Sequence, residues 1–85
     1  MPTVTVRYWA AAKQAAGVAE ENVDAENLRD VLAIAVRRHP AAEFEAVLSR
    51  SSLLVDGVRA PAAPPGEVDL TDGSLIEVLP PFAGG

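Results

Sequence analysis

The chain contains no cysteine, one histidine, one lysine and no long apolar run. Each shortage excludes something. Without cysteine there are no disulfides, no thiolate metal sites and no thiol nucleophile, and redox compartment leaves no mark on the composition. A lone histidine, His39, cannot build a zinc site without several carboxylates, and no spacing of carboxylates suggests one. His39 reads instead as a solvated cap at a helix end. No stretch is long and apolar enough to span a bilayer. The opening "MPTVTVR" alternates and lacks the charged-then-apolar build of a signal peptide, which points to a cytoplasmic protein without a membrane partner. Seven basic residues stand against twelve acidic ones, for a net charge of −5. Apart from Arg37 and Arg38 the cations are scattered, so the basic footprint of a nucleic-acid binder is missing. An acidic surface suits a basic protein partner, or solubility alone. There is no glycine-rich phosphate loop. Ser49, Ser51 and Ser52 have no base nearby in sequence. Asp24 with Glu26, and Glu43 with Glu45, fit solvated faces better than an acid–base pair.

What is present is one small domain's worth of alternation and one good amphipathic pattern. Eighty-five residues, 49% of them apolar, make a single domain with a thin core. Thr3 to Tyr8 alternates with period two: Val4, Val6 and Tyr8 on one face, Thr3, Thr5 and Arg7 on the other. By that parity Trp9 falls on the outer face with Arg7. Ala10 to Ala16 is helical by propensity and Gly17 stops it. Val18 to Val23 is a second extended piece with a polar run at Glu20, Glu21 and Asn22. Asn27 caps the next helix, with Asp30 three residues on. Leu28, Val31, Leu32, Ala35 and Val36 then recur at helical spacing, and Pro40 ends the element. Ala42 to Leu48 suits a short helical turn.

Ser52 to Arg59 reads as a hairpin about Asp56-Gly57. A proline-rich loop follows, then a short extended piece over 68–70 and a turn at Thr71, Asp72 and Gly73. Ser74 to Leu79 is the last strand. Ile76 and Val78 share one face; Leu75, Glu77 and Leu79 share the other. This order predicts an α+β domain with a mixed sheet and one main helix across one face. The ubiquitin-like β-grasp is the small fold with that order. The domain spans 1–79, and 80–85 is an extended tail.

The tail, "PPFAGG", holds the chemistry that the side chains lack. Its terminal carboxylate is ionised at neutral pH and can be adenylated by ATP. A sulfur donor can then displace AMP to leave a thiocarboxylate. Such a group must thread deep into another protein. Gly84 and Gly85 suit this, because a narrow channel can close around a backbone without Cβ. Pro80 and Pro81 make a stiff, extended root.

"VRYWAAAKQAAG" near the start, "LLVDGV" in the hairpin and "DGSLIEVLPPFAGG" at the end resemble the MoaD/ThiS family of sulfur carrier proteins, and within it the small subunits of molybdopterin synthases. The resemblance covers nearly the whole chain. It implies a β-grasp fold with no bound cofactor and a Gly85 carboxylate adenylated by a ubiquitin-activating-like adenylyltransferase that consumes ATP. It further implies a thiocarboxylate that gives sulfur to cyclic pyranopterin monophosphate inside a molybdopterin synthase large subunit. Gly84 becomes the slim approach, and Pro80, Pro81, Phe82 and Ala83 line the channel entrance. Three positions depart from the family's habit. Leu79 replaces an aromatic before the prolines, Phe82 a smaller aliphatic after them, and Ser74 an acidic residue in the last turn. They leave the chemistry at Gly85 untouched and bear on which partner is selected, so a cysteine synthase-like enzyme or thiamine synthesis remains an alternative destination. A ubiquitin-like modifier, joined to target lysines, would use the same activation.

Trp9, Leu75 and Leu79 fall on the outer face and resemble the family's apolar docking positions. A solvent-facing patch of that kind marks an interface, and tryptophan is enriched among interface hot spots; the competing account is a mostly buried Trp9 and a Leu75 covered by a loop.

Overall fold

A computed structural model describes residues 1–81. Five strands form one sheet in the order β2-β1-β5-β3-β4. They are β1 (Thr3–Tyr8), β2 (Glu20–Asp24), β3 (Ser52–Val55), β4 (Val58–Arg59) and β5 (Leu75–Leu79). β1 and β5 lie side by side and parallel at the centre; every other pairing is antiparallel. Among the described residues the three α-helices are α1 (Ala10–Ala16), α2 (Leu28–Arg38) and α3 (Ala42–Arg50), with a short 3-10 helix at Pro65–Glu67. The mixed sheet and the helix across one face are as expected, and the architecture is the ubiquitin-like β-grasp.

Strand parity decides the core. Val4, Val6 and Tyr8 of β1, Val23 of β2 and Ile76 and Val78 of β5 point to one side and are buried. Leu28, Val31 and Ala35 of α2 close over them, with Ala12 of α1 and Phe44 and Val47 of α3. Each fully buried side chain of this size contributes about 1.5–3 kcal/mol by leaving water.

Local signals set the element ends. Asn27 Oδ1 accepts a hydrogen bond from the Asp30 amide at 3.0 Å, so α2 starts where its cap is. Asn27→Ala is expected to cost about 1 kcal/mol, read as a lower urea midpoint with an unchanged slope. Gly17 ends α1 at φ +79°, a left-handed conformation that glycine adopts without strain. The Asp56-Gly57 turn is pinned to the start of β5: Asp56 Oδ1 accepts from the Leu75 amide at 2.8 Å, and the Asp56 amide donates to the Leu75 carbonyl at 2.8 Å.

Three expectations shift. The short turn over 42–48 is a full helix, α3, running to Arg50. The extended piece over 68–70 makes one isolated bridge, Asn27 with Asp69, in which the Leu28 amide donates to the Val68 carbonyl at 3.0 Å and the Leu70 amide to the Glu26 carbonyl at 2.9 Å, while Val68 and Leu70 are buried. His39 is not a solvated cap. Its side chain is 14% exposed, its Nε2 lies 2.7 Å from Glu21 Oε2, and its ring is tilted against Phe44 at 5.0 Å. The polar run at 20–22 is likewise split by parity, and Glu21 faces inward.

Candidate functional site: the outer sheet face and the root of the tail

β5 leads into Pro80 and Pro81. It occupies the middle of the sheet, held on one side by β1 and on the other by β3. Pro80 follows it directly. Proline has no N–H to extend the ladder, and Pro80 is buried while Pro81 is exposed. The tail is therefore rooted in the packed body of the domain. Phe82, Ala83, Gly84 and Gly85 lie outside the described residues.

The face opposite the helices carries Leu75, Glu77 and Leu79 of β5, all half-buried. The register places Thr5 beside Leu75 and Arg7 beside Glu77 on one flank, and Leu54 beside Glu77 on the other. Trp9, the residue after β1, is 44% exposed. Its amide donates to the Val78 carbonyl at 3.2 Å, and its indole Nε1 donates to Glu77 Oε2 at 3.0 Å. The next residue, Ala10, stands at φ +49°. That left-handed conformation is costly for a residue with Cβ and turns the chain from β1 into α1. Thus Trp9, Leu75 and Leu79 are brought onto one surface beside the root of the tail.

Leu54 belongs to the same surface and was not singled out by the sequence. Leu53, Leu54 and Val55 are all apolar, so alternation is silent there. The pairing with Glu77 is what reveals its side. Ser74 does not join the surface. It is 3% exposed and closes the last turn, its Oγ accepting from the Thr71 amide at 3.1 Å.

Behind the sheet, a polar cluster braces the same end of β1. Tyr8 Oη donates to Glu21 Oε2 at 2.6 Å, and Arg38 Nη1 reaches Glu21 Oε1 at 3.2 Å and the Asn22 carbonyl at 2.8 Å. Burial pushes the Glu21 carboxyl up, but hydrogen bonds with Tyr8, His39 and Arg38 outweigh it and hold the group below its ordinary value. Burial, then the Glu21 hydrogen bond and charge, push the Tyr8 phenol far above its ordinary value of 10.0. The folded state thus keeps a proton that the unfolded chain releases. Stability from this phenol is whole below pH 10 and is lost as pH rises above it towards the folded value. The melting temperature should therefore fall steeply above about pH 10, and Tyr8→Phe should flatten that fall. An equally steep fall in the variant would assign it to other groups.

Among the described residues no cluster of three or more histidine, cysteine or acidic side chains could hold a metal ion. No helix among them is long and apolar enough to cross a membrane.

The class is set by this architecture: a ubiquitin-like β-grasp whose central last strand leads straight into the tail. Small archaeal modifier protein 1 from Methanosarcina acetivorans is 26% identical and superposes over 100% of this chain and 98% of that one with a TM-score of 0.84. A Pyrococcus furiosus protein proposed to be molybdopterin converting factor subunit 1 is 25% identical, over 96% and 100%, with a TM-score of 0.78. A complex of subunits 1 and 2 of molybdopterin-converting factor from Helicobacter pylori matches over 98% and 99% at 22% identity and a TM-score of 0.71, a likeness of fold. No family model matches the chain, and no curated protein matches it by sequence. Its structural neighbours are thus molybdopterin converting factor subunits and ubiquitin-like small modifiers, consistent with the MoaD/ThiS family resemblance.

Proposed function

We propose that the chain is a sulfur carrier for molybdopterin synthesis, with the Gly85 carboxylate as its reactive group. The observation that carries this reading is the join between β5, the buried Pro80 and the sequence "PFAGG". A rigid central strand passes through a stiff proline pair into a backbone slim enough for a channel. A carboxylate oxygen of Gly85 attacks the α-phosphorus of ATP, and pyrophosphate leaves. A sulfur donor then attacks the acyl carbon and AMP departs, so a C–S bond replaces the C–O bond to phosphate. The chain supplies no catalytic side chain to these steps. It is the co-substrate of an activating enzyme of the ubiquitin-activating type, which binds the ATP.

The thiocarboxylated tail would then enter the large subunit of a molybdopterin synthase and give its sulfur to cyclic pyranopterin monophosphate. The Helicobacter pylori neighbour, solved as a pair of subunits 1 and 2, supports a large-subunit partner. Trp9, Leu54, Leu75 and Leu79 would form the apolar docking surface, and Pro80, Pro81, Phe82, Ala83 and Gly84 the part that threads the channel.

Incubation with the activating enzyme, ATP and a sulfide source should raise the mass of the intact protein by the sulfur–oxygen difference. A variant with one alanine appended after Gly85 should show no shift. An equal shift in the appended variant would defeat the reading. A second reading has support in the name of the Methanosarcina neighbour: a modifier joined through Gly85 to lysines of other proteins. High-mass adducts that survive reducing agent and hydroxylamine would establish it, and their absence would leave the carrier role. Copurification separates the destinations: a molybdopterin synthase large subunit on one hand, a cysteine synthase-like enzyme on the other.

A further inference from the structure

Glu77 has a place that the carrier chemistry does not explain. It sits at the centre of the outer face, on the middle strand, with Arg7 and Leu54 on its flanks, Leu75 and Leu79 along its own strand and Trp9 beside it. A carboxylate among apolar side chains usually has a cation. Arg7 is directly across the strand pair, yet its guanidinium turns the other way and meets Glu20 at 3.5 Å. Among the described residues Glu77 makes no ion pair. What it has is the indole N–H of Trp9, one donor for a group with room for several. The contact fixes the carboxylate beside the half-exposed indole.

We propose that Glu77 is the specificity-determining anion of this face, and that it receives an arginine side chain from the activating enzyme that adenylates the chain. Three features favour arginine. A guanidinium can bind a carboxylate through two parallel N–H groups while its plane rests on an aromatic ring, which lysine does not do. Trp9 supplies that ring at hydrogen-bond distance from the carboxylate. The surrounding leucines exclude water once a partner covers them, which strengthens the pair. A partner that brought an acidic or apolar group to this spot would leave Glu77 covered with no cation but Arg7, which Glu20 already engages, at a penalty. The face therefore rejects such surfaces as well as accepting the right one. Glu77 acts directly on the partner's cation; Trp9 both contacts that cation and positions the carboxylate. The inference rests on the carrier reading only for the identity of the partner.

Trp9 is the sole tryptophan, so its indole N–H gives one NMR resonance that reports on this spot. Titration with N-acetyl-arginine amide should shift it saturably in the wild-type protein, with N-acetyl-lysine amide weaker and E77Q unresponsive. In adenylation assays E77Q should raise the KM for the carrier about tenfold and E77R about a hundredfold. In both, kcat should be unchanged, and in E77Q the salt dependence of KM should shrink. W9F, which keeps a ring but loses the N–H donor, should fall between wild type and E77Q. An unsaturable response, or an equal one in E77Q, overturns the assignment even if the wild-type chain is adenylated normally. Wild-type KM and salt dependence in E77Q overturn it as well. A chain that is never adenylated would sink the carrier reading and leave the titration to decide this one.

Discussion

Deletion of Gly85 alone is expected to lower adenylation by more than about a hundredfold while leaving the melting temperature where it is. The variant still ends in a carboxylate, on Gly84, so the chemical group is not lost. It is withdrawn by one residue, about 3.3–3.6 Å. A displacement that large takes an attacking oxygen out of reach of a phosphorus atom held elsewhere, and misplacements of ~1 Å already cost about a hundredfold. The core should not notice. The described buried residues run from Val4 to Pro80, five positions before the end. The mass shift and a thermal melt, measured on the same preparation, check both halves. Conversion at the wild-type rate would show that the register of the tail is irrelevant and would remove the reason for placing the reaction at Gly85.

Phe44→Ala is expected to be the most damaging single change to the fold, at about 3–5 kcal/mol. Phe44 is 1% exposed and stands edge-on to Tyr8, with centroids 5.6 Å apart and planes at 79°. It also packs against His39. Removing the ring opens a cavity where α3, β1 and the end of α2 meet, and loosens the Tyr8 and His39 contacts with Glu21. A small domain holds only ~5–15 kcal/mol in all. Each kcal/mol lost lowers the melting temperature of a domain this size by about 4–8 °C, so the variant should melt some tens of degrees lower. Chemical denaturation gives the free energy directly. A loss below about 1 kcal/mol would mean that the site collapses around the missing ring and that α3 is only an ornament to the core.

The sequence exposed the sheet better than the helices' contribution to it. Period-two alternation in β1 and β5 was enough to place Val4, Val6, Ile76 and Val78 inside and Leu75 and Leu79 outside, because one face of each strand is polar or meets solvent. The helical spacing of Leu28, Val31 and Ala35, with Asn27 before it, located α2 in the same way. Three features resisted for physical reasons. Leu54 lies between two other apolar residues, so no parity could be read. Glu21 stands between a glutamate and an asparagine, and its burial depends on Tyr8, His39 and Arg38, which are distant along the chain. His39 precedes a proline at a helix end, where a solvated imidazole is the ordinary outcome; what encloses it is Phe44 from the next helix. The surface formed by Trp9, Leu75 and Leu79 was legible residue by residue. The Trp9–Glu77 hydrogen bond was not, since it joins positions 68 residues apart. Gly84 and Gly85 rest on sequence and resemblance alone.

The central place of β5 also governs how this molecule comes into being. The slot between β1 and β3 must stay vacant until residues 75–79 have left the ribosome, because Leu75 is the partner of Thr5. Pairings so distant in sequence are slow to find one another. Until then the nascent chain displays two unzipped strand edges and a core without Ile76 and Val78, a condition that invites aggregation. The strand that completes the sheet is also the one that leads into Pro80 and Pro81. A synthesis arrested before position 75 would therefore leave the sheet without its middle strand.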